Sequence, residues 1–368
     1  MKHCTPRRSV LVVVSLSLFL LAQLGLAQQT TTIRGRILDR DTKEPIAFCA
    51  VALSGTSLGS ITNEKGIYVI ENVPLQSFKI VASHIAYYNK VIDFNPDYQK
   101  EQYSMSLKAK VTELETVAVE TRGRGKVSRL KRRNMETFRR LILGETYDRR
   151  YIEITNEDIV DFQDRMDKVL KTTKTYDLNI VNNHLGYEIS YLNLGFSLSE
   201  EMKTFVGFPV FNALQPENDE QKQTWEANRE RAYKGSLNHF FKSLITHTLD
   251  EEGFLAQYTN YDPSKRRPKG NLVTEQLRTK QSGRTRPNIQ IAFDEEKGYY
   301  TVSFSKVIEA FFFREDGSAV EFKLKPVRPQ IEVYPSGVLR NPLSIVVYGD
   351  LAQRGVYQMV PSNYQPKN

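Results

Sequence analysis

Three residues in the second half of the chain have the side chains of an acyl-transfer triad: Ser236, His239 and Asp250. Ser236 and His239 are three positions apart, which is close to one turn of a helix. A triad needs its nucleophile on an exposed turn beside oxyanion donors, whereas a serine inside a helix has neighbouring N–H groups that are already bonded. We therefore expect no triad here, and a hydrolase site in this region stays an alternative hypothesis.

The same stretch has a helical period that groups polar and aromatic side chains on one face. The period extends from about 219 to 249, and Gly235 either divides it into two helices or permits a close helix contact. The pattern favours a packing and hydrogen-bonding face over a catalytic site. The members of this face are Trp225, Asn228, Arg229, Tyr233, Ser236 and His239.

Other chemistry-bearing residues lack the spacing that a site requires. A glycosidase needs two carboxylates at a fixed separation across a cleft, and the acidic run after position 156 predicts a solvated helix face instead. This run contains Glu157, Asp158, Asp161, Asp164 and Asp167. No histidine is followed by Glu at the third position, and His-Glu-x-x-His is absent, which argues against a zinc peptidase. The sequence predicts no catalytic residue, no metal and no cofactor.

The N-terminus has the three parts of a signal peptide. Basic residues precede an apolar run over 10–21, and a small-x-small cleavage site ends at Ala27. The apolar run is shorter than the roughly 20 residues of a membrane span, which disfavours an uncleaved anchor. We predict that residues 1–27 are removed, that the chain is exported, and that the mature protein has no transmembrane span.

Composition describes a folded chain with a mild positive charge. The 368 residues are 40% apolar and 11% aromatic, with a formal net charge of +8 at pH 7, and this length has room for two domains. Nine basic residues lie within 122–140 against Glu136 alone. An exported chain rarely meets nucleic acid, so this stretch favours a solvated helix face or loose contact with anionic lipid or polysaccharide. Cys49 lies in an apolar run and is expected to be buried.

Hydrophobic periodicity divides the remaining chain into domains. Residues 28–110 contain about seven short alternating strands between turn residues, which predicts a small antiparallel β-sandwich. Within it, Asn63 to Gly66 is predicted to be a hairpin turn. Residues 111–145 are expected to be a linker and basic helix, 146–360 an α+β domain, and 361–368 a loose tail.

The turn residues of the first domain carry a family resemblance. Their order resembles the carboxypeptidase-regulatory-like domain, a transthyretin-like Greek-key sandwich common in envelope proteins of Bacteroidetes-type bacteria. The motif residues are Gly35, Asp39, Pro45, Gly55, Gly66, Tyr68 and Pro74. The family usually has Gly where this chain has Ala86. The resemblance is to an accessory sandwich without a zinc site, so it implies a fold and an envelope location but no peptidase activity.

The segment that follows, Val111 to Val119, resembles one that contacts an energising partner in TonB-dependent receptors. About 240 residues remain after it, too few for a plug and barrel, so a last strand and linker is favoured. We expect an exported, non-enzymatic interaction or scaffolding module of the periplasm or outer membrane, with an envelope protein or glycan as partner. A hydrolase and an accessory partner of a TonB-dependent outer-membrane system are the alternatives.

Overall fold

The computed structural model describes residues 30–110, 124–163, 169–199, 203–259 and 288–366. The predicted signal peptide, the segment Val111 to Val119 and residues 260–287 lie outside the described residues. The described chain forms an N-terminal β-sandwich followed by an α+β region, as the sequence predicts.

The N-terminal sandwich has seven strands in two sheets, with the strand orders β4-β1-β7 and β3-β2-β5-β6. Alternate side chains of both sheets meet in one core that includes Ile37, Val51 and Ile80, as expected for half-buried strands. β1 pairs with β7 in parallel, whereas the sequence predicts antiparallel pairs. The strands are β1 (Thr30–Asp39), β2 (Ala50–Leu53), β3 (Gly59–Ile61), β4 (Ile67–Pro74), β5 (Phe78–His84), β6 (Tyr87–Phe94) and β7 (Met105–Leu107).

The turn from Asn63 to Gly66 joins the two sheets instead of closing a hairpin. Asn63 Oδ1 accepts hydrogen bonds from the N–H groups of Lys65 and Ile67, both at 3.0 Å. The strands on either side pair elsewhere, β3 with β2 and β4 with β1. The hairpin prediction is wrong because a turn signal specifies the local backbone and not the partner of each strand.

The first layer of the α+β region packs one long helix on a five-stranded sheet. The sheet has the order β12-β11-β10-β8, and β9 also pairs with β11. Met135, Phe138 and Ile142 of the helix lie in the core of this layer. The helix therefore belongs to the C-terminal region, whereas the sequence places it in a linker. The elements are α1 (Arg124–Leu143), β8 (Ile152–Ile154), β9 (Leu170–Lys171), β10 (Tyr176–Asn182), β11 (Tyr187–Leu198) and β12 (Lys203–Ala213).

The described part of the second layer has three helices and two further sheets, ordered β13-β16-β17-β19 and β14-β15-β18. Phe240, Phe241 and Phe322 are among the side chains of its core. The elements are α2 (Asp219–Tyr233), α3 (Leu237–Ile245), β13 (Phe254–Thr259), β14 (Gln290–Asp294), β15 (Tyr299–Ser303), β16 (Val307–Phe313), β17 (Ala319–Pro326), β18 (Gln330–Val333), β19 (Ile345–Gly349) and α4 (Asp350–Gln353).

The helical period from 219 to 249 is divided into two helices at Gly235. This residue has a φ of +70°, which glycine adopts without the penalty that a Cβ imposes. A Cβ here would lie 2.5 Å from Cδ1 of Phe312. The first of the two sequence interpretations is thus confirmed, and the glycine also lets Phe312 approach the turn between α2 and α3.

The sandwich is bonded directly to the first layer of the C-terminal region. Gly55 N–H donates to Pro209 O at 2.6 Å, and Phe211 N–H donates to Thr56 O at 3.1 Å. Asn89 Nδ2 donates to both carboxylate oxygens of Asp177 at 2.9 Å. These bonds place β12 and β10 against the sandwich.

Contacts with the second layer come from the segment after β18. The hydroxyl of Tyr334 accepts from Ser77 N–H at 2.9 Å and donates to Ser77 Oγ at 2.8 Å. Arg340 forms an ion pair with Asp97 at 2.6 Å. The two halves of the chain are therefore joined at several points and not by residues 111–145 alone.

The C-terminal tail fastens the same junction over its described residues. Ser362 N–H donates to Gly55 O at 2.8 Å, and the Asn363 side chain bonds to Ser57. The Tyr364 ring lies 5.9 Å from the Tyr233 ring. Residues 361–366 are thus held in place, which differs from the loose tail that their polar composition predicts.

Candidate functional site

The side chains of Ser236, His239 and Asp250 do not form a triad. Ser236 is the N-cap of α3, and its Oγ accepts a hydrogen bond from His239 N–H at 3.2 Å. His239 Nδ1 accepts from Gly235 N–H at 3.0 Å, and Nε2 bonds to Glu252 Oε2 at 3.0 Å. Both ring nitrogens are therefore engaged, and neither faces the serine hydroxyl. The sequence placed Ser236 inside a helix, and this position is corrected to the helix N-terminus.

The imidazole of His239 is held as a neutral hydrogen-bonding bridge. Because Gly235 N–H points at Nδ1, the ring proton lies on Nε2 and is donated to Glu252. Burial lowers the pKa of His239, and the nearby Glu252 carboxylate acts in the opposite direction. The ring therefore links the start of α3 to the turn before β13 through two hydrogen bonds, and its role is structural.

Three predicted face residues on α2 bind the turn between β10 and β11. Trp225 Nε1 donates to Asn183 O at 2.6 Å, and Asn228 Nδ2 donates to His184 O at 2.9 Å. Arg229 donates through Nε to Leu185 O at 2.6 Å and through Nη2 to Gly186 O at 2.9 Å. Four consecutive carbonyls are thereby satisfied by one helix face. We call Trp225, Asn228 and Arg229 the turn clamp.

The contact between the turn clamp and the turn requires a glycine at position 186. Gly186 has a φ of +68°, and a Cβ there would lie 2.3 Å from the Trp225 ring. The Arg229 guanidinium also lies over the Tyr187 ring, 4.2 Å from its centroid, where a cation is attracted by the π electrons. Tyr233, the remaining face residue, packs against the His239 ring at 5.2 Å. The predicted face residues thus make their contacts within the protein itself, but they lie on two helices, α2 and the start of α3, instead of on one face.

The acidic run after position 156 does not form the predicted helix. Glu157 lies in a short 3-10 turn, Glu157–Ile159, and its carboxylate pairs with Arg139 of α1. Asp161 pairs with Lys131 of the same helix at 2.8 Å. Asp164 and Asp167 lie outside the described residues. The described residues of this run therefore form a loop that is paired with α1. The prediction of a solvated helix face is wrong for these residues.

The sandwich motif residues serve close backbone approaches and turns. A Cβ at Gly35 would lie 2.4 Å from Tyr103 O, and one at Gly66 would lie 2.5 Å from Ile37 O. The hydroxyl of buried Tyr68 donates to the same Tyr103 O at 2.6 Å. Strand β1 can thus lie close to its neighbours, which explains these residue types.

The remaining motif residues lie where the chain turns. Asp39 Oδ1 accepts from the N–H groups of Asp41 and Thr42 at 2.7 and 3.0 Å, and the Thr42 bond is the main reason that the pKa of Asp39 is lowered. Pro45 bridges to Leu38, and Pro74 ends β4. Gly55 takes a φ of +80° at the junction with the C-terminal region.

A buried ion cluster in the last sheet has no motif and was missed at the sequence level. Lys323 Nζ lies 2.6 Å from Glu309 Oε1 and 2.9 Å from Glu321 Oε1. Gln257 Nε2 donates to the other Glu309 oxygen at 2.9 Å. These residues come from three neighbouring strands, so only their pairing register brings them together.

Cys49 is buried as expected, and burial raises the pKa of its thiol to about 11. A thiol in this state is a poor nucleophile at neutral pH. Within the parts of the chain that the structure describes, no three His, Cys, Asp or Glu side chains are grouped so as to hold a metal ion. No helix among the described elements is both long and apolar enough to span a bilayer.

An exposed apolar surface lies at one end of the sheet β3-β2-β5-β6. Ala50 of β2 pairs with Ile61 of β3 on one side and with Ser83 of β5 on the other. Phe48 lies two positions before Ala50, and Ile85 lies two positions after Ser83. The exposed fractions are 74% for Phe48, 65% for Ile61 and 89% for Ile85. We call these three residues the apolar end patch.

The opposite end of the same sheet face is covered. Ala52 and Val81 point away from the sandwich core, because they alternate with the core residues Val51 and Ala82, yet they are buried. The bonds from Gly55 to β12 lie beside them. The C-terminal region therefore covers one end of the face and leaves the apolar end patch in solvent.

Phe48 is also unusual in its backbone, with a φ of +56°. A bulky residue in the left-handed region is strained, and such strain is concentrated at functional positions. Phe48 N–H donates to Thr62 O at 2.9 Å, which holds this conformation. This bond attaches the Phe48 end of the patch to the residue that follows β3.

Comparisons with known proteins bear on the sandwich alone. Residues 33–119 match the family model of the CarboxypepD_reg-like domain, so the match includes Val111 to Val119. No curated protein matches this sequence. A crystal structure of a 9R-lipoxygenase from Cyanothece PCC8801 aligns at 10% identity over 87% of this chain, with a TM-score of 0.16. This chain spans 42% of the lipoxygenase chain, and a likeness this weak says nothing about fold or activity. The N-terminal β-sandwich is, by its motif, its strands and its family match, a CarboxypepD_reg-like domain.

Proposed function

We propose that this protein is an exported, non-catalytic interaction module of the cell envelope, and that its sandwich docks an envelope protein through the apolar end patch. The observation that carries the proposal is the exposure of Phe48, Ile61 and Ile85 at one end of the sheet β3-β2-β5-β6. Solvent-exposed apolar clusters of this kind mark protein interaction sites. An apolar surface favours a protein partner over a glycan, which would need hydrogen-bonding groups.

The geometry of the junction supports a scaffolding role. The tail and β12 hold the covered end of the sheet against the C-terminal region. A partner on the apolar end patch would therefore be held at a fixed orientation to both C-terminal layers. The residues first considered for catalysis, Ser236 and His239, are used to cap α3 and to bridge it to Glu252.

The docking proposal is tested by site-specific photo-crosslinking from position 61 in intact cells. We expect a discrete crosslinked protein, and we expect the variant F48S/I85S to lose it. The matched control is V206S/L343S, which changes two exposed apolar residues outside the patch, 63% and 82% exposed, and should retain the crosslink. Equal crosslinking in both variants would contradict the proposal.

Export and the lack of activity have their own tests. N-terminal sequencing of the mature protein should begin at Gln28, and an intact Met1 would contradict export. Purified protein should not turn over a panel of peptides and glycans. Turnover that is abolished by S236A or H239A would establish a hydrolase instead.

A further inference from the structure

Helix α1 exposes a row of arginines along its solvent side. Arg132 and Arg133 follow Arg129 by three and four positions, and Arg140 follows Arg133 by seven, which places all four on one face. Together with Glu136 and Thr137 they line a shallow cleft of about 370 Å³. We call the four residues the arginine stripe.

Most cations near the stripe are paired with carboxylates, whereas within the stripe only Arg140 has an ion-pair partner among the described residues. Lys131 pairs with Asp161, and Arg140 pairs with Glu145 at 3.3 Å. Arg149 and Arg139 both pair with Glu136.

This arrangement removes Glu136 as an internal counter-ion. The bond from Arg149 is the main reason that the pKa of Glu136 is lowered, so the carboxylate stays ionised and satisfied by two other arginines. Arg129, Arg132 and Arg133 have no ion-pair partner among the described residues. Within the part of the chain that the structure describes, these three positive charges lie on one exposed face and are not paired with a carboxylate.

The stripe is held in place by the other side of the helix. Met135, Phe138 and Ile142 are buried in the core of the first layer, so the backbone that carries the guanidinium groups is fixed. A guanidinium presents paired N–H donors that match the oxygens of a phosphate. A fixed row of such groups fits several phosphates on one surface better than one small anion.

An apolar side chain borders the stripe and favours a lipid surface over an anionic polysaccharide. Leu130, beside Arg129, is 44% exposed. A helix with arginines and an exposed apolar side chain can lie at the boundary between headgroups and acyl chains. A hydrated polysaccharide would give Leu130 no apolar contact.

We propose that the arginine stripe binds the phosphate groups of an anionic lipid bilayer and lays α1 along the membrane surface. This inference rests on the proposed envelope function for its location and does not involve the apolar end patch. The helix does not cross the bilayer, and the contact is electrostatic, so it weakens as salt screens it.

The test is co-sedimentation of the full chain with vesicles of phosphatidylcholine alone or mixed with an equal amount of phosphatidylglycerol. The intact protein should bind only the mixed vesicles and should be released by high salt. The variant R129Q/R132Q/R133Q should partition about 100-fold more weakly, since each basic residue near an anionic surface contributes roughly a factor of five. The control R34Q/R40Q/K90Q removes three exposed cations from the sandwich and should bind nearly as the parent does.

Several outcomes would overturn the inference. Equal losses in the two variants would show attraction by net charge alone, and binding to both vesicle types would show that phosphatidylglycerol is irrelevant. Stripe-dependent binding to a soluble anionic polysaccharide without vesicle binding would identify a different partner. F48S/I85S should bind vesicles normally. If the parent protein does not bind mixed vesicles but still forms the crosslink from position 61, only the stripe inference is rejected. If it binds the vesicles but forms no crosslink, only the docking proposal is rejected.

Discussion

Gly186 and Gly298 have nearly the same backbone conformation, with φ values of +68° and +69°, but very different surroundings. A Cβ at Gly186 meets the Trp225 ring, whereas a Cβ at Gly298 has open space around it. Both Gly→Ala variants add the conformational cost of a left-handed alanine, about 1 kcal/mol. G186A should lose about 2 kcal/mol more than G298A in unfolding free energy, because it also overpacks the turn clamp.

Denaturant unfolding of the two variants measures that difference directly. Removal of the Trp225 ring in G186A/W225A would separate the clash from the backbone strain. If G186A and G298A were equally stable, the close contact between the turn and α2 would be refuted.

The pH dependence of stability tests the neutral state of His239. Its pKa in the folded protein is lowered by burial, below the value of about 6.5 for an unfolded chain. Between these two values the unfolded state binds more protons, so stability rises with pH. The stabilising contribution is full above pH 6.5 and is lost as pH falls towards the folded-state pKa.

Burial also lowers the pKa of His184, so this residue changes stability with pH in the same direction as His239. We therefore expect a lower denaturation midpoint at pH 5.5 than at pH 7.5, and a smaller pH difference in H239Q than in H184Q, because His239 is the more buried of the two. Unchanged pH dependence in H239Q would contradict the neutral bridge.

At the residue scale, the sequence identifies donors but not their acceptors. Trp225, Asn228 and Arg229 are predictable as one polar face from helical spacing alone. Their partners are backbone carbonyls 42 to 44 positions earlier. Every residue type has a backbone carbonyl, so residue types do not reveal which carbonyls the turn clamp binds. Gly186 is the one residue of the turn whose type is required by the contact.

At the element scale, pairing of three strands creates the ion cluster around Lys323. The Lys323 and Glu309 side chains are 8% and 11% exposed. K323M should lower stability by about 3 kcal/mol, because it removes the cation bonded to the buried Glu309 carboxylate. The double variant K323M/E309Q should recover part of that loss, which a double-mutant cycle by thermal unfolding would measure.

The matched control is K297M, which removes a cation from an exposed pair with Asp294. Exposed pairs contribute little, so this variant should unfold like the parent. A K323M protein as stable as K297M would show that the buried pair is dispensable.

Elements with strong periodicity are predictable from this sequence, and their partners are not. The alternation in β10 and β11 and the apolar side of α1 follow from residue spacing. The Asn63 to Gly66 turn is also visible, but β3 and β4 enter different sheets. Long-range pairing is decided by the fit of whole faces, which a local pattern does not contain.

At the scale of the whole molecule, the C-terminal tail should determine how firmly the two halves are joined. A chain ending at Pro361 lacks the bonds from Ser362 and Asn363 to the Gly55–Ser57 turn. Each bond contributes about 1 kcal/mol, so amide exchange at Gly55 should accelerate at least tenfold. Hydrogen exchange with mass spectrometry measures this effect.

A chain ending at Gln365 keeps those bonds and is the control. It should exchange like the full protein. Equal exchange in both truncated chains would mean that the tail bonds do not hold the junction, and the predicted loose tail would then describe its behaviour better.

The tail contact also sets an order of events during synthesis. Ser57 and Asn363 are separated by 306 positions, so the ribosome makes the sandwich long before the residues that fasten it. Until the C-terminal region emerges, Ala52 and Val81 lie on an uncovered apolar sheet face, a state that favours aggregation. The nascent chain therefore needs protection, by a chaperone or by delayed folding, until nearly its last residues have been added.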